Sequence, residues 1–307
     1  MPITTAPPNT TKLAATIPLP PGADVFGPAF ARDGSSVVLF AGNQLHRFDA
    51  ATLAKRDSRP VTKAPRLGPN VATFAILHGA NGGDAAFDLA TASRIVVDVP
   101  KGYECNSGES FSDDGTLLAR NCVTKADELV IVQDARTGAL VVKLTEFQTA
   151  APVRGGRITG SGNFVLWSAR ASGAFEEIKS KVTGPMMSSH STMAPDESAL
   201  FTVVDKNWLT DDKSPAQILD PKTGRAKYTL PFDVDRVYFS PDGRRFAAVR
   251  QSMADHKITA VTVHRTADGA VVASLPDRDV DVIAFSPDGH ELLVRGGGNV
   301  KLYVDVP

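Results

Sequence analysis

The sequence predicts an all-β fold that is built by repeating one four-stranded unit. Two observations lead to this prediction: a hairpin motif recurs along the chain, and a second turn motif follows the hairpins. The clearest hairpins occupy residues 237–249 and 283–295, where two apolar runs flank the same Ser-Pro-Asp-Gly turn. Recurrence of a supersecondary motif at a regular interval is the signature of a repeat architecture.

The Ser-Pro-Asp-Gly turn contains the residues that a tight reversal between two strands requires. Proline presets φ at the first central position, aspartate bonds to the local backbone, and glycine accepts a left-handed conformation. We therefore expect Asp242 to accept a hydrogen bond within its turn and Gly243 to have a positive φ. More divergent copies of the hairpin lie at residues 30–40, 67–76, 111–119, 158–167 and 193–202.

A second turn motif joins the other strands of each unit. A strand ends on Asp or Thr, a Thr-Gly-like turn follows, and another strand begins. The copies lie at residues 48–52, 87–91, 134–138, 220–224 and 266–269. Each unit therefore has four strands, and seven units of about 44 residues account for the 307 residues of the chain.

The two ends of the chain are offset by one strand. Residues 13–20 resemble the fourth strand of a unit, but no unit precedes them. Residues 299–307 complete a third strand, and the chain then stops. We predict that residues 13–20 pair antiparallel with residues 299–306 and close a ring, because the last unit would otherwise expose an unpaired edge.

The hairpins, the Asp-x-x-Thr-Gly turns and the offset ends resemble the WD40-like, PD40 (TolB-like) and YVTN-type β-propellers over nearly the whole chain. The resemblance implies a seven-bladed β-propeller with four-stranded antiparallel blades, closed by the N-terminal strand in the last blade. The chain lacks the Trp-Asp and Gly-His dipeptides of eukaryotic WD40 repeats. Residues 1–12 are rich in Pro and Thr and are predicted to be a flexible tether, and residues 13–307 a single domain.

The two cysteines of the chain, Cys105 and Cys122, lie symmetrically about the Asp113-Asp114 turn. Facing positions on neighbouring antiparallel strands bring β-carbons close enough for a disulfide. We predict a Cys105–Cys122 disulfide and therefore an oxidising compartment, the periplasm or the cell exterior, with any export signal missing from this sequence. The alternative is two buried free thiols and a cytoplasmic protein.

Composition and motifs exclude several classes of function. A net charge of −1 argues against a nucleic-acid surface, and no apolar run is long enough to span a bilayer. The chain has no Gly-x-Ser-x-Gly elbow, His-Glu-x-x-His motif, phosphate-binding loop or dinucleotide fingerprint. We therefore predict no catalytic residues and no cofactor.

The leading prediction is a non-enzymatic scaffold that binds a protein partner. The loops joining strands two to three and four to one vary in length, and variable loops on a rigid scaffold commonly carry binding residues. The candidate binding residues on this variable-loop face are Tyr103, Arg154, Arg157, Trp208, Asp211, Asp212, Met253 and His256.

The alternative is a lactonase-like or other small-molecule hydrolase, or a ligand-binding propeller, with its site at the mouth of the central channel. Positions predicted to line the channel are apolar or small, including Ser110, Phe239, Ala284 and Phe285. These residues favour the scaffold. A cluster of His, Arg and Glu at the channel mouth would favour the alternative instead.

The segment from residue 186 to residue 193 suggests a metal-binding site. Met186, Met187, His190 and Met193 lie close together in sequence, and thioether with imidazole ligands suits Cu(I). In a strand, Met186 and His190 would lie on the opposite face from Met187 and Met193, so only a loop could gather all four. Packing of the methionines between blades is the simpler interpretation.

Overall fold

The computed structural model of the chain describes residues 11–22, 25–31, 33–60, 65–66, 74–77, 85–88, 93–96, 101–105, 110–111, 117–124, 128–134, 137–144, 149–152, 157–162, 165–170, 175–178, 187–207, 212–213, 215–251 and 258–306. The regular secondary structure in these ranges consists of β-strands.

The described strands form seven antiparallel sheets. The first described strand is β1 (Lys12–Pro18). The next four are β2 (Val25–Phe30), β3 (Ser36–Ala41), β4 (Gln44–Asp49) and β5 (Lys55–Pro60). They are followed by β6 (Pro65–Arg66), β7 (Phe74–Leu77), β8 (Ala85–Asp88) and β9 (Ser93–Val96). The next sheet contains β10 (Glu104–Cys105), β11 (Ser110–Phe111), β12 (Leu117–Val123), β13 (Glu128–Asp134) and β14 (Leu140–Leu144).

The second half of the chain continues in the same way. The first sheet there contains β15 (Thr149–Pro152), β16 (Arg157–Gly162), β17 (Val165–Arg170) and β18 (Phe175–Ile178). The next contains β19 (Met187–Met193), β20 (Leu200–Asn207), β21 (Asp212–Lys213), β22 (Gln217–Leu219) and β23 (Ala226–Thr229). Then come β24 (Val234–Phe239), β25 (Arg245–Gln251), β26 (Ile258–Arg265) and β27 (Val271–Leu275). The last strands are β28 (Val282–Phe285), β29 (Leu292–Gly296) and β30 (Asn299–Val304).

Five of the sheets have four strands, and two have an additional short strand. In one of these two, β10 and β11 both pair with β12, and in the other, β21 and β22 both pair with β20. In each case one strand of a four-stranded sheet is interrupted. The architecture is an all-β propeller with four-stranded antiparallel blades, as the repeats predicted.

The N-terminal strand belongs to the same sheet as the C-terminal strands. β1 pairs antiparallel with β30, from Lys12 opposite Val304 to Pro18 opposite Asn299, and the sheet order is β1-β30-β29-β28. The predicted pairing of the chain ends is confirmed, with the strand running over residues 12–18 rather than 13–20.

Hydrophobic side chains pack between consecutive sheets. Val261 of β26 and Tyr303 of β30 belong to one buried cluster, and Phe30 of β2 and Leu302 of β30 to the next. Phe201 of β20 packs in a third cluster with Phe246 of β25. Each cluster joins two sheets, so a blade is stabilised mainly by burial against its neighbours.

Both turn motifs have the predicted geometry. Ser240 Oγ donates to Asp242 Oδ1 at 2.6 Å, the backbone N–H of Arg244 donates to the same oxygen at 3.0 Å, and Gly243 has a φ of 71°. In the second motif the backbone N–H of Thr137 donates to Asp134 Oδ1 at 2.7 Å. Side-chain capping by aspartate therefore shapes both turns.

Cys105 and Cys122 form the predicted disulfide. They face each other in the pairing of β10 with β12 and are bonded, and the residues that the structure describes contain no free cysteine. The bond fastens the short strand β10 to its blade. No described helix is long and apolar enough to cross a membrane.

Candidate functional site

The innermost strands of consecutive blades meet around the axis of the propeller. β19 contacts β24, β24 contacts β28, and β28 contacts β2. Because these strands run in the same direction, their starting ends lie together at one end of the axis, which we call the loop end. The Ser-Pro-Asp-Gly turns lie at the opposite end, which we call the turn end.

The turn end is closely packed where consecutive blades meet. Arg245 Nη1 donates to the carbonyl oxygen of Gly289 in the next blade at 2.7 Å. A β-carbon placed on Gly243 would lie 2.0 Å from Asp196 Oδ1 of the preceding blade. These turns are confined by their neighbours, so the loop end offers more freedom for a binding site.

Charged side chains meet at the loop end. Arg236 lies on β24, Asp281 directly precedes β28, and Arg295 lies at the end of β29, beside the start of β28. Arg236 Nη1 donates to the Asp281 carbonyl oxygen at 3.3 Å, and Arg295 Nε lies 3.4 Å from Asp281 Oδ2. We call these three residues the axial arginine cluster. It brings together one carboxylate and two guanidinium groups, and guanidinium groups bind carboxylates and other anions well.

Arg295 extends from the last blade to the first. Its Nη1 donates to the carbonyl oxygens of Val25 and Gly27, the latter at 2.9 Å, and both carbonyls belong to the innermost strand β2. Its side chain is only 15% exposed. The guanidinium group is therefore held firmly, with its charge directed at the loop end of the axis.

A further cation lies near the cluster. Arg250 is opposite Val234, the first residue of β24, and its Cζ lies 4.3 Å from the centroid of the Phe232 ring. Such a cation–π contact restricts the orientation of the side chain. The guanidinium group of Arg250 therefore lies beside the start of β24.

The segment from Asp279 to Asp281 is packed closely against the end of β29. A β-carbon on Gly296 would lie 1.5 Å from the backbone oxygen of Asp279, so no larger residue fits without moving that backbone. The backbone N–H of Asp281 also donates to the Arg295 carbonyl oxygen at 2.8 Å. The segment before β28 is thereby fastened to the end of β29.

Gly296→Ala is expected to lower the free energy of unfolding by about 2 to 3 kcal/mol, because the backbone of Asp279 must move away. Urea unfolding measures the change. The matched control is Gly298→Ala, where a β-carbon has nothing within 4 Å but φ is 75°, so only backbone strain of about 1 kcal/mol is expected. Equal losses in the two variants would contradict the role of the Asp279 contact.

Two buried ionisable groups elsewhere are structural. His264 is 1% exposed, its Nδ1–H donates to the Gly269 carbonyl at 2.9 Å, and Thr262 Oγ1 lies 2.7 Å from Nε2. Burial lowers the pKa of His264, which keeps the imidazole neutral. Asp277 accepts hydrogen bonds from Lys301 and Tyr303 and fastens the loop after β27 to β30.

Of the binding residues predicted from sequence, the structure describes the side chain of Tyr103 alone. Lys143 Nζ lies 5.0 Å from the centroid of its ring, and the ring packs against a cluster that contains Cys122. Arg157 lies in β16 and Asp212 in β21. The remaining predicted residues lie outside the described ranges: Arg154, Trp208, Asp211, Met253 and His256. Their roles in binding stay predictions.

The proposed methionine site requires a loop, and most of the segment is a strand. Residues Met187 to Met193, including His190, form β19, and Met193 is buried against Leu200 and Leu219. Met186 lies outside the described residues. The strand does not provide the loop that would bring the four side chains together.

Sequence reasoning missed the axial arginine cluster. Phe239, Ala284 and Phe285 are at the far ends of their strands, whereas Arg236 and Asp281 lie at or near the starting ends. The signal that could have found them was a charged residue at the start of each otherwise apolar inner run. Arg295 follows the hairpin strand, so its approach to the axis depends on tertiary structure.

Comparisons with known proteins identify the fold but no family. No family model matches the chain, and no curated protein matches it either. It is similar to a solved oligogalacturonate lyase in complex with manganese, with a TM-score of 0.64, 16% identity, and coverage of 97% of this chain and 98% of that one. A second oligogalacturonate lyase, from Vibrio parahaemolyticus, has a TM-score of 0.65 and 13% identity, covering 99% of both chains.

These comparisons correct the functional prediction. Two propellers that share the fold over their whole length are enzymes, which supports the small-molecule alternative and not the non-enzymatic scaffold. The sequence argument judged the channel by residues such as Phe239 and Phe285, at the far ends of their strands, and left out Arg236 and Asp281 at the loop end. At 16% and 13% sequence identity, the similarity to these structures shows only a shared fold. The predicted resemblance to WD40-like propellers is not supported by any family model.

The manganese of the first neighbour has no matching ligand set among the residues described for this chain. No group of three or more His, Cys, Asp or Glu side chains within them could hold a metal ion. The axial arginine cluster presents two guanidinium groups, which repel a cation and provide no lone pair to bind it. The described residues therefore do not fit manganese.

Proposed function

We propose that this chain is an enzyme for a small acidic sugar and that the axial arginine cluster binds the carboxylate of the substrate. The observation that carries the proposal is the meeting of Arg236, Asp281 and Arg295 at the loop end of the axis. The full-length likeness in fold to two oligogalacturonate lyases supports the choice of substrate, because oligogalacturonate carries carboxylates on its sugars.

The chemistry of arginine suits this role. A guanidinium group donates two parallel hydrogen bonds to a carboxylate, which adds both strength and orientation. A lyase cleaves by elimination: a base takes the proton from the carbon beside the carboxylate, and the bond between the next carbon and the glycosidic oxygen breaks as a double bond forms. Negative charge develops beside the carboxylate as the proton leaves. Positive groups positioned at that carboxylate stabilise the developing charge. Arg236 and Arg295 would provide this stabilisation.

The wider organisation of the chain is part of the proposal. We propose that the seven sheets are seven blades of one ring, in a single domain that begins at residue 13. The contacts from β19 through β24 and β28 to β2 support a ring, as does the pairing of β1 with β30. The disulfide supports an oxidising compartment, the periplasm or the cell exterior.

The test compares an acidic with a neutral sugar. We expect galacturonate oligomers, but not galactose oligomers of equal length, to bind in calorimetry and to be cleaved to an unsaturated product. Arg236→Gln should weaken binding about tenfold, since a hydrogen bond to a charged group contributes about 1.5 kcal/mol or more. Arg236 is exposed, so this substitution leaves the fold intact.

The matched control is Arg244→Gln. It removes the same charge at the turn end, from a side chain that is 84% exposed. Binding in this variant should change by less than about twofold, because the charge is distant and screened by salt. Equal binding of acidic and neutral sugars, or equal losses in the two variants, would overturn the proposal.

A further inference from the structure

Arg295 has a free edge at which it can bind a ligand. Both described bonds of Nη1 are to the backbone of β2, and Nε pairs with Asp281. Nη2 forms no bond among the described contacts of this residue. A carboxylate binds a guanidinium group well along the edge formed by Nε and Nη2. Of the two nitrogens on that edge, Nη2 is open to a ligand and Nε lies next to Asp281.

The carboxylate of Asp281 is held less firmly than its backbone. The backbone N–H donates to the Arg295 carbonyl at 2.8 Å, and the backbone oxygen accepts from Arg236. By contrast, the side chain is 59% exposed and makes one contact with Arg295, at 3.4 Å. Because water surrounds much of this carboxylate, its attraction to Arg295 is screened and contributes little to stability. The carboxylate can therefore leave Arg295 while the backbone stays in place.

We infer that Asp281 competes with the carboxylate of the ligand for the Nε–Nη2 edge of Arg295 and so sets the affinity of the site for anions. The inference rests on the proposed function, since it concerns the same site. In the unliganded protein Asp281 pairs with Nε, and a bound carboxylate takes Nε and Nη2 together while Asp281 turns to solvent. Arg295 keeps its orientation in both states, because β2 holds Nη1.

Asp281→Asn is the decisive variant. It keeps the shape of the side chain and the backbone bonds, and removes the competing charge. We expect galacturonate and acetate each to bind about three- to tenfold more tightly, because a like charge a few ångströms from the bound carboxylate is removed. Ligand-observed NMR titration at low salt measures both dissociation constants.

The matched control is Asp279→Asn. Asp279 lies in the same segment and its loss changes the net charge equally, but it makes no ion pair with Arg295 among the described contacts. Its effect should be less than about twofold, as expected for a solvent-screened charge. Equal tightening in the two variants would overturn the inference, since it would show a general effect of charge.

Two other outcomes separate the inference from the proposed function. If acetate binds and Asp281→Asn tightens it, but galacturonate does not bind, the competition is supported and the proposed substrate is wrong. If galacturonate binds to the parent protein and Asp281→Asn leaves that binding unchanged or weaker, the substrate stands and the competition is wrong. If neither anion binds to either folded protein, both are wrong.

Discussion

Removal of residues 1–18 is expected to lower the melting temperature by about 10 °C or more and to cause aggregation. The deletion removes β1, whose backbone pairs with β30 and whose Ile17 is buried in the cluster between the last and first blades. Loss of that burial and pairing should cost about 4 kcal/mol. The exposed edge of β30 would also be free to pair with another chain.

Circular dichroism and size-exclusion chromatography measure the two effects. Deletion of residues 1–10 is the control, because it shortens the N-terminal segment but retains β1 in full. The control should melt as the parent does. A deletion of residues 1–18 with an unchanged melting temperature would contradict the role of β1.

Loss of the Cys105–Cys122 bond is expected to lower the free energy of unfolding by about 3 kcal/mol, the chain-entropy estimate for a loop of this size. The cysteines are separated by 17 positions in sequence, and the bond restricts the unfolded chain. The variant combines Cys105→Ser with Cys122→Ser, and the urea midpoint gives the loss.

Reduction provides the control for this experiment. Dithiothreitol should destabilise the parent protein to a similar extent and leave the double variant unchanged. Thiol titration of denatured, native-source protein also tests the compartment. Two free thiols there would refute both the bond in the natural protein and its export.

Local pattern was sufficient to predict much of the blade structure. The turn at Asp242 and Gly243 depends on hydrogen bonds and φ within a few residues, so residue identity predicts it. The pairing of Cys105 with Cys122 follows from counting outward from one turn, because antiparallel register is set by the hairpin. Repetition then extended these local predictions to the propeller.

The prediction of a non-enzymatic scaffold failed because function depends on which side chains the assembled blades bring together. Local sequence patterns do not specify that. Tyr103 was predicted to be a binding residue because it lies near a variable loop; its half-buried ring packs against the cluster that contains Cys122, and its role in binding stays a prediction. Whether a loop side chain faces solvent or its own blade depends on the neighbouring strands, which periodicity does not specify.

By itself, the sequence determined the strands, their turns, the pairing of the two chain ends and the disulfide, because each follows from residue type and spacing within a repeat. Only the tertiary structure decided the candidate site. Arg295 and Val25 lie at opposite ends of the chain, and Arg236 belongs to another blade. Arg236 and Arg295 meet at Asp281 because the ring brings the innermost strands together. The repeat pattern does not specify which side chains point toward that axis.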